Sequence, residues 1–437
     1  MKRIIVFAAV LVFLTGIPVP AQEDEREEES GVHRFLNLSL YYPVSLNRSP
    51  YDRVNMNLSL ACGRVGSVSG LDLSLAGSLV NDHLRGVQVC GLAGVIGKKG
   101  QGIQASGLAS VCGESFTGLQ ASGLITVAGE KIHGFQTAGL INVAGGKARW
   151  FQASGLANIA GEEFEGGQFA GLFNIAGENA KGIQATGFFN IAGENMLGIQ
   201  TSGLFNIAGE SMQGIQVSGL FNIVGEEFQG GQISGLFNLA GEELHGVQIA
   251  PLNAASRSSG IQIGLVNIGE TSDGVQVGLV NYIRQEHNGL PLGVVNLAEN
   301  GALSGVLWAS GGVAISGGMK FTVGRWHSVA SLGLGNLDDN LAESLTWGVH
   351  YGTTFPAGNV AFQPEIGYRY RDNYGLFKSS ADEPDQHILE ARLLLKVPLS
   401  RRAALLLGGG WQRIFDEGPE DRSGRSSPLF AAGLELF

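Results

Sequence analysis

The sequence predicts an all-β protein in two parts: a parallel β-solenoid of 16-residue coils, then a C-terminal antiparallel β-barrel of the outer-membrane type. Three observations carry this. "GIQATGFFNIAGENML" (182–197) is followed at once by "GIQTSGLFNIAGESMQ" (198–213). The same phase runs through Gly70, Gly86, Gly102, Gly118, Gly134, Gly166, Gly182, Gly198, Gly214, Gly230 and Gly246, with Trp150 alone replacing the glycine. A fixed period of this length marks a repeat architecture. Glycine supplies 68 of 437 residues with no Gly-X-Y period. That density breaks any helical stripe and suits tight corners in β structure. Finally, residues 301–437 lose the period and alternate apolar with polar residues, as half-buried strands do.

Taken in order, the chain starts with Lys2 and Arg3, the apolar run "IIVFAAVLVFLTGI" and Val19-Pro20-Ala21. This reads as an export signal over residues 1–21, with Gln22 starting the mature chain. "EDEREEES" falls in an acidic, solvated spacer over 22–33. Residues 34–69 hold N-terminal β-strands in "FLNLSLYYPVSL" and "VNMNLSLACGRV". Residues 70–300 are the glycine-rich repeats. Residues 301–437 form the barrel-like region, from "LSGVLWASGG" through "VAFQPEIGYRYR" and "AALLLGGGWQRIF" to "LFAAGLELF". Segments of roughly nine to eleven alternating residues suit membrane-spanning strands. The chain ends on Phe437, as many such barrels do, although Glu435 stands where an apolar residue is expected. Trp and Tyr in "LTWGVHYG" and "GYRYRDNYG" suit a membrane–water interface. We expect this barrel to close with a strand from residues 34–45.

Within each repeat, Gln recurs at 88, 104, 120, 136, 152, 168, 184, 200, 216, 232 and 248. Leu follows the next glycine, as at Leu172, Leu204, Leu220 and Leu236, and Asn recurs from Asn142 to Asn238. Two constructions fit. In a solenoid, identical columns stack about 4.8 Å apart, so Gln184, Gln200 and Gln216 form one ladder, Asn another, and Leu a core file. In one larger antiparallel barrel, each phrase is a membrane strand plus a turn. The 14-residue phrase "GIQIGLVNIGETSD" (260–273) favours the solenoid. It drops one residue between Gln262 and Gly264, which would invert the faces of a straight strand but is absorbed at a corner.

"FLNLSLYYPVSLNR", "GRVGSVSGLDL" and "GVQVGLVNYIRQEHNGLPLGVVNL" together resemble the bacterial surface-repeat proteins known from Leptospira and relatives. The resemblance covers nearly all of the mature chain and is weaker after about residue 300. It implies an exported, envelope-associated protein without an assigned biochemical role, and carries no catalytic residues.

Chemistry is sparse in the remaining pattern. The net charge of −11 argues against nucleic acid. Cys62, Cys90 and Cys112 are an odd number for a disulfide framework, and the last two replace small residues of the repeat. His33, His83, His133, His245, His287, His327, His350 and His387 show no metal-ligand spacing. "GLAGVIGKK" fails as a phosphate loop, because Leu92 and Lys99 occupy positions that require Gly and Ser or Thr. A column of Glu114, Glu130, Glu162, Glu178, Glu194, Glu210, Glu226 and Glu242 either splays into solvent or is bridged by cations, without the Asp-rich loops of calcium-binding repeats. The expectation is a non-enzymatic outer-membrane or cell-surface protein with a structural or adhesive role, with no catalytic, cofactor or metal residues. Its partners would be outer-membrane lipid and an unidentified extracellular or envelope ligand. The alternative is a channel or transport barrel.

Overall fold

The computed structural model describes residues 31–47, 49–310, 313–335, 344–372, 385–416 and 424–437. The expected export signal lies outside these residues, as does the acidic spacer up to residue 30. Every regular element described is a β-strand. The chain divides into two compact units, the first ending at Gly235 and the second spanning Leu236–Phe437.

The first unit is a parallel β-solenoid. Each phrase gives one strand through its Gly-x-Gln stretch, such as Met196–Ser202, and a shorter one through its Asn, such as Phe205–Ala208. Each strand pairs in parallel with its equivalent one coil on: Met196↔Met212, Gly198↔Gly214, Gln200↔Gln216, Ser202↔Ser218. The repeats are therefore not antiparallel barrel strands. The period persists because two demands meet in the glycine column. Gly198 and Gly214 both have φ +134°, and a Cβ on Gly214 would collide with the backbone carbonyl of Gly198.

The interior differs from the expected leucine core. In one coil the inward side chains are Gln200, Ser202, Asn206, Ala208 and Met212, all buried. Leu204 and Leu220 instead lie outside the buried core, Leu204 partly buried and Leu220 exposed, as is Leu236 in the second unit. The reason is local. Gly203 and Leu204 form a bend between strands, which takes the Leu out of the alternation that points Asn206 inward. Apolar residues at the closing corner fill the core in its place: Phe116, Ile132, Phe164, Met196, Met212 and Phe228.

The N-terminal strands belong to this same sheet. His33–Tyr41 pairs in parallel with Arg53–Val65, and that strand pairs in parallel with Ser67–Ser74. A strand from residues 34–45 thus does not close the barrel. Its alternating pattern suited either role, and its outer edge is instead capped by the antiparallel pair Val44–Ser45.

The second unit starts with further parallel coils. The one-residue deletion is absorbed at the corner: it is already present between Gln248 and Asn253, and Asn238 still donates to Asn253 (3.2 Å), which in turn donates to Asn267 (3.0 Å). The last coil strand, Leu290–Ala298, is followed by eight antiparallel strands: Gly301–Ser310, Val313–Val323, Trp326–Leu334, Leu345–Thr353, Val360–Asp372, Gln386–Ser400, Ala403–Asp416 and Arg425–Leu436. Each pairs with the next. Arg425–Leu436 also pairs with Gly301–Ser310, which closes the barrel on its own strands. Asn296 of the last coil donates to Ser328 Oγ (2.9 Å), seating the coil against the barrel strand Trp326–Leu334.

Candidate functional site

The barrel lumen collects the charges that sequence spacing left scattered. In a strand, alternate residues share a face, so Glu365 and Arg369 from one strand and Glu390 and Arg392 from the next all point inward and are buried. His327 Nε2 lies 2.8 Å from Glu365 Oε1, and Arg392 Nε donates to Glu365 Oε2 (2.7 Å). His350 Nε2 lies 3.0 Å from Glu390, which also pairs with Arg369. Glu435 explains its own departure from the terminal pattern. It faces the lumen at 1% exposure and receives Lys320 Nζ (3.2 Å), Lys396 Nζ (3.0 Å) and Ser304 Oγ (3.1 Å). Phe437 is exposed, with the Lys396 ammonium 4.5 Å from its ring centre.

These pairs cross the lumen of a barrel whose strand number leaves an interior just wide enough for side chains. A cavity of about 10 Å³ remains beside Trp308, Lys320, Glu365 and Arg392, room for roughly one water molecule. The outer surface has the reverse character: Leu332, Ile366, Leu393, Trp411 and Phe430 are exposed. Trp347 packs against Tyr368 and Tyr370, with ring centres 6.0 and 5.8 Å apart.

The solenoid presents its columns to the outside. Phe173, Phe189, Phe205 and Phe221 stack at 5.2, 4.9 and 4.9 Å with nearly parallel rings. The acidic column lies along the closing corner. Asn179 donates to Glu194 (3.3 Å) and Asn195 to Glu210 (3.5 Å), so neighbouring amides share the carboxylate charge. No group of three or more His, Cys, Asp or Glu among the described residues has a geometry that could hold a metal.

The three cysteines are free. Cys90 and Cys112 are buried, and burial pushes both thiols up, Cys112 to about 12. Both therefore stay protonated and unreactive at neutral pH. Five of the eight histidines fall into three settings. His327 and His350 line the lumen, His287 is buried beside the Ser272 carbonyl, and His133 and His245 are exposed. The lumen pairs escaped sequence reading because their partners are 38 and 40 residues apart. Inward alternation combined with strand pairing was the signal that could have found them.

No protein-family model matches the chain, and neither a curated protein nor a solved structure is similar to it.

Proposed function

We propose that this is an exported, non-enzymatic repeat protein, held in a bacterial outer membrane by the barrel of residues 301–437. Its solenoid would serve a structural or adhesive role. The observation that carries the reading is the inverted polarity of the barrel. Seven ionisable side chains (Lys320, Glu365, Arg369, Arg371, Glu390, Arg392 and Glu435) are buried inside, while Leu, Ile, Trp and Phe cover the outside. Water would favour the opposite arrangement, and hydrocarbon favours this one. A closed barrel also leaves no unpaired strand edge in lipid. The crossing ion pairs support an anchor over a channel. The repeated outer columns offer many equivalent contacts, which suits adhesion through multivalency.

The test is reconstitution of the full chain into planar bilayers and vesicles. The anchor reading expects insertion without stable conductance. A sustained open conductance would favour the channel, and a chain that stays soluble and monomeric without detergent would end the membrane reading.

A further inference from the structure

The barrel has two unlike ends. An even number of antiparallel strands brings its first strand residue, Gly301, and the chain's last residue, Phe437, to the same end. The connections there are tight. Gly324–Arg325 joins Val313–Val323 to Trp326–Leu334, and residues 401–402 join Gln386–Ser400 to Ala403–Asp416. Residues 354–359 form a hairpin that folds back on the next strand, Ala357 pairing with Val360. Thr354 N donates to the Arg325 carbonyl (2.8 Å) and Phe437 N to the Arg402 carbonyl (3.1 Å). At the opposite end one connection is equally short, residues 311–312. The others span residues 335–344, 373–385 and 417–424, with Asp338, Asp339, Asp382, Glu383, Glu420 and Asp421 among them.

The last coils meet the barrel at the short-turn end. Leu290–Ala298 runs into Gly301 through residues 299–300 alone. Besides receiving the Asn296 amide, Ser328 Oγ donates to the Val294 carbonyl (3.2 Å), and Ser328 is fully buried. Gly324, in the turn just before it, lies against the His287 carbonyl of the coil. In bacterial outer-membrane barrels the short turns face the periplasm and the longer loops face the exterior.

We propose that the repeats lie on the periplasmic side of the outer membrane and not on the cell surface. The inference rests on the outer-membrane reading and narrows it. The repeats make their contacts inside the envelope, so their role is structural there and not adhesion to foreign surfaces. The whole repeat region shares this compartment, because nothing described before Gly301 can cross back through lipid. Among the described residues there is no helix, and the coil strands pair in a parallel stack and not in a closed barrel.

The experiment expresses the full chain in a bacterium with an outer membrane and labels thiols with a membrane-impermeant maleimide, before and after that membrane is permeabilised. Cys62 is exposed, while Cys90 and Cys112 are buried, so the native chain carries one reporter in its first coils. In a Cys62→Ser background, Lys181→Cys reports on a middle coil, Arg402→Cys on a short turn and Arg425→Cys on the far end. All three replaced residues are exposed. Cys62, Lys181→Cys and Arg402→Cys should be labelled only after permeabilisation, and Arg425→Cys already in intact cells. Labelling of Cys62 or Lys181→Cys in intact cells overturns the proposal, as does shielding of Arg425→Cys there. Either result leaves the anchor reading standing if the chain fractionates with the outer membrane. A chain recovered outside that fraction ends the anchor reading, and this inference with it.

Discussion

Gln88 donates its side-chain amide to Asp72 at 2.8 Å, while Asn57 donates to the other Asp72 oxygen at 2.7 Å. Two oppositely directed ladders therefore converge on one carboxylate. From the N-terminal side, Asn37 donates to Asn57 and Asn57 to Asp72. From the other side each Gln donates backwards, Gln104 to Gln88, Gln120 to Gln104 and so on to Gln232 with Gln216, at 2.6–3.0 Å. The Asn ladder runs forward across the core, Asn142 to Asn158 through Asn206 to Asn222. An amide offers one acceptor oxygen and one donor nitrogen. Only a carboxylate can receive a donor on each side.

Asp72→Asn should therefore turn one donor towards another and destabilise the first unit by about 1–3 kcal/mol, read by chemical denaturation. The pH dependence gives a second readout. Burial raises the Asp72 carboxyl above its ordinary 3.8, so between that raised value and 3.8 the native state binds more protons than the unfolded chain. Wild-type stability relative to Asp72→Asn should then rise as pH falls through that window. A difference that stays flat from pH 7 to pH 4 would show Asp72 to be unperturbed.

Truncating the middle of the Gln ladder should act locally. Gln200→Ala removes the acceptor of Gln216 and the donor to Gln184, a cost of about 1–3 kcal/mol. Hydrogen exchange should quicken in the coils around residues 184–216 and stay unchanged near residue 100, since coils contact only their neighbours. Near-neutral stability for Gln184→Ala, Gln200→Ala and Gln216→Ala alike would contradict a buried ladder.

In the lumen, Glu435→Ala leaves Lys320 and Lys396 without their shared carboxylate. Breaking a buried pair from one side costs about 3–5 kcal/mol. Urea unfolding of the detergent-solubilised chain should show a loss of that size, and a change below 1 kcal/mol would mean that the lumen admits water freely.

His287 provides the acid-side test. Its pKa is lowered by burial, against the raising effect of its bond to the Ser272 carbonyl. Below the ordinary value of 6.5 the unfolded chain binds the proton more readily than the native one. Stability should therefore be full above that pH and decline as pH falls towards the native value. His287→Gln should flatten this slope between pH 7 and pH 5. An unchanged slope would place the titrating group elsewhere.

The repeat period, the Gln and Asn ladders and the alternating character of the barrel segments were legible because each depends on spacing alone, whereas the number of barrel strands was not. Other features depend on what spacing omits. Leu204 has core chemistry but faces outward because a bend precedes it. The start of the solenoid at His33 was hidden because its first coils lack the leading glycine and vary in length. The convergence on Asp72 is a matter of hydrogen-bond direction, which residue identity alone leaves open. Glu435 looked like a flaw in a terminal strand until the pairing of Arg425–Leu436 with Gly301–Ser310 brought Ser304 beside it.

Deletion of one whole phrase, residues 198–213, separates the two repeat constructions in the cell. A solenoid loses one coil and keeps its columns, so export and barrel folding should survive. Collapse of the barrel on that deletion would contradict independent stacking of the coils.

The central claim, a barrel in lipid with the solenoid outside it, is tested most directly by quenching of tryptophan fluorescence with bromine-labelled acyl chains in reconstituted vesicles. Single-tryptophan chains retaining Trp411 or Trp347, on the barrel exterior, should be strongly quenched. Chains retaining Trp308, buried in the lumen, or Trp150, on the solenoid, should not be. Absence of quenching at Trp411 and Trp347, or quenching at Trp150 equal to theirs, would contradict the account.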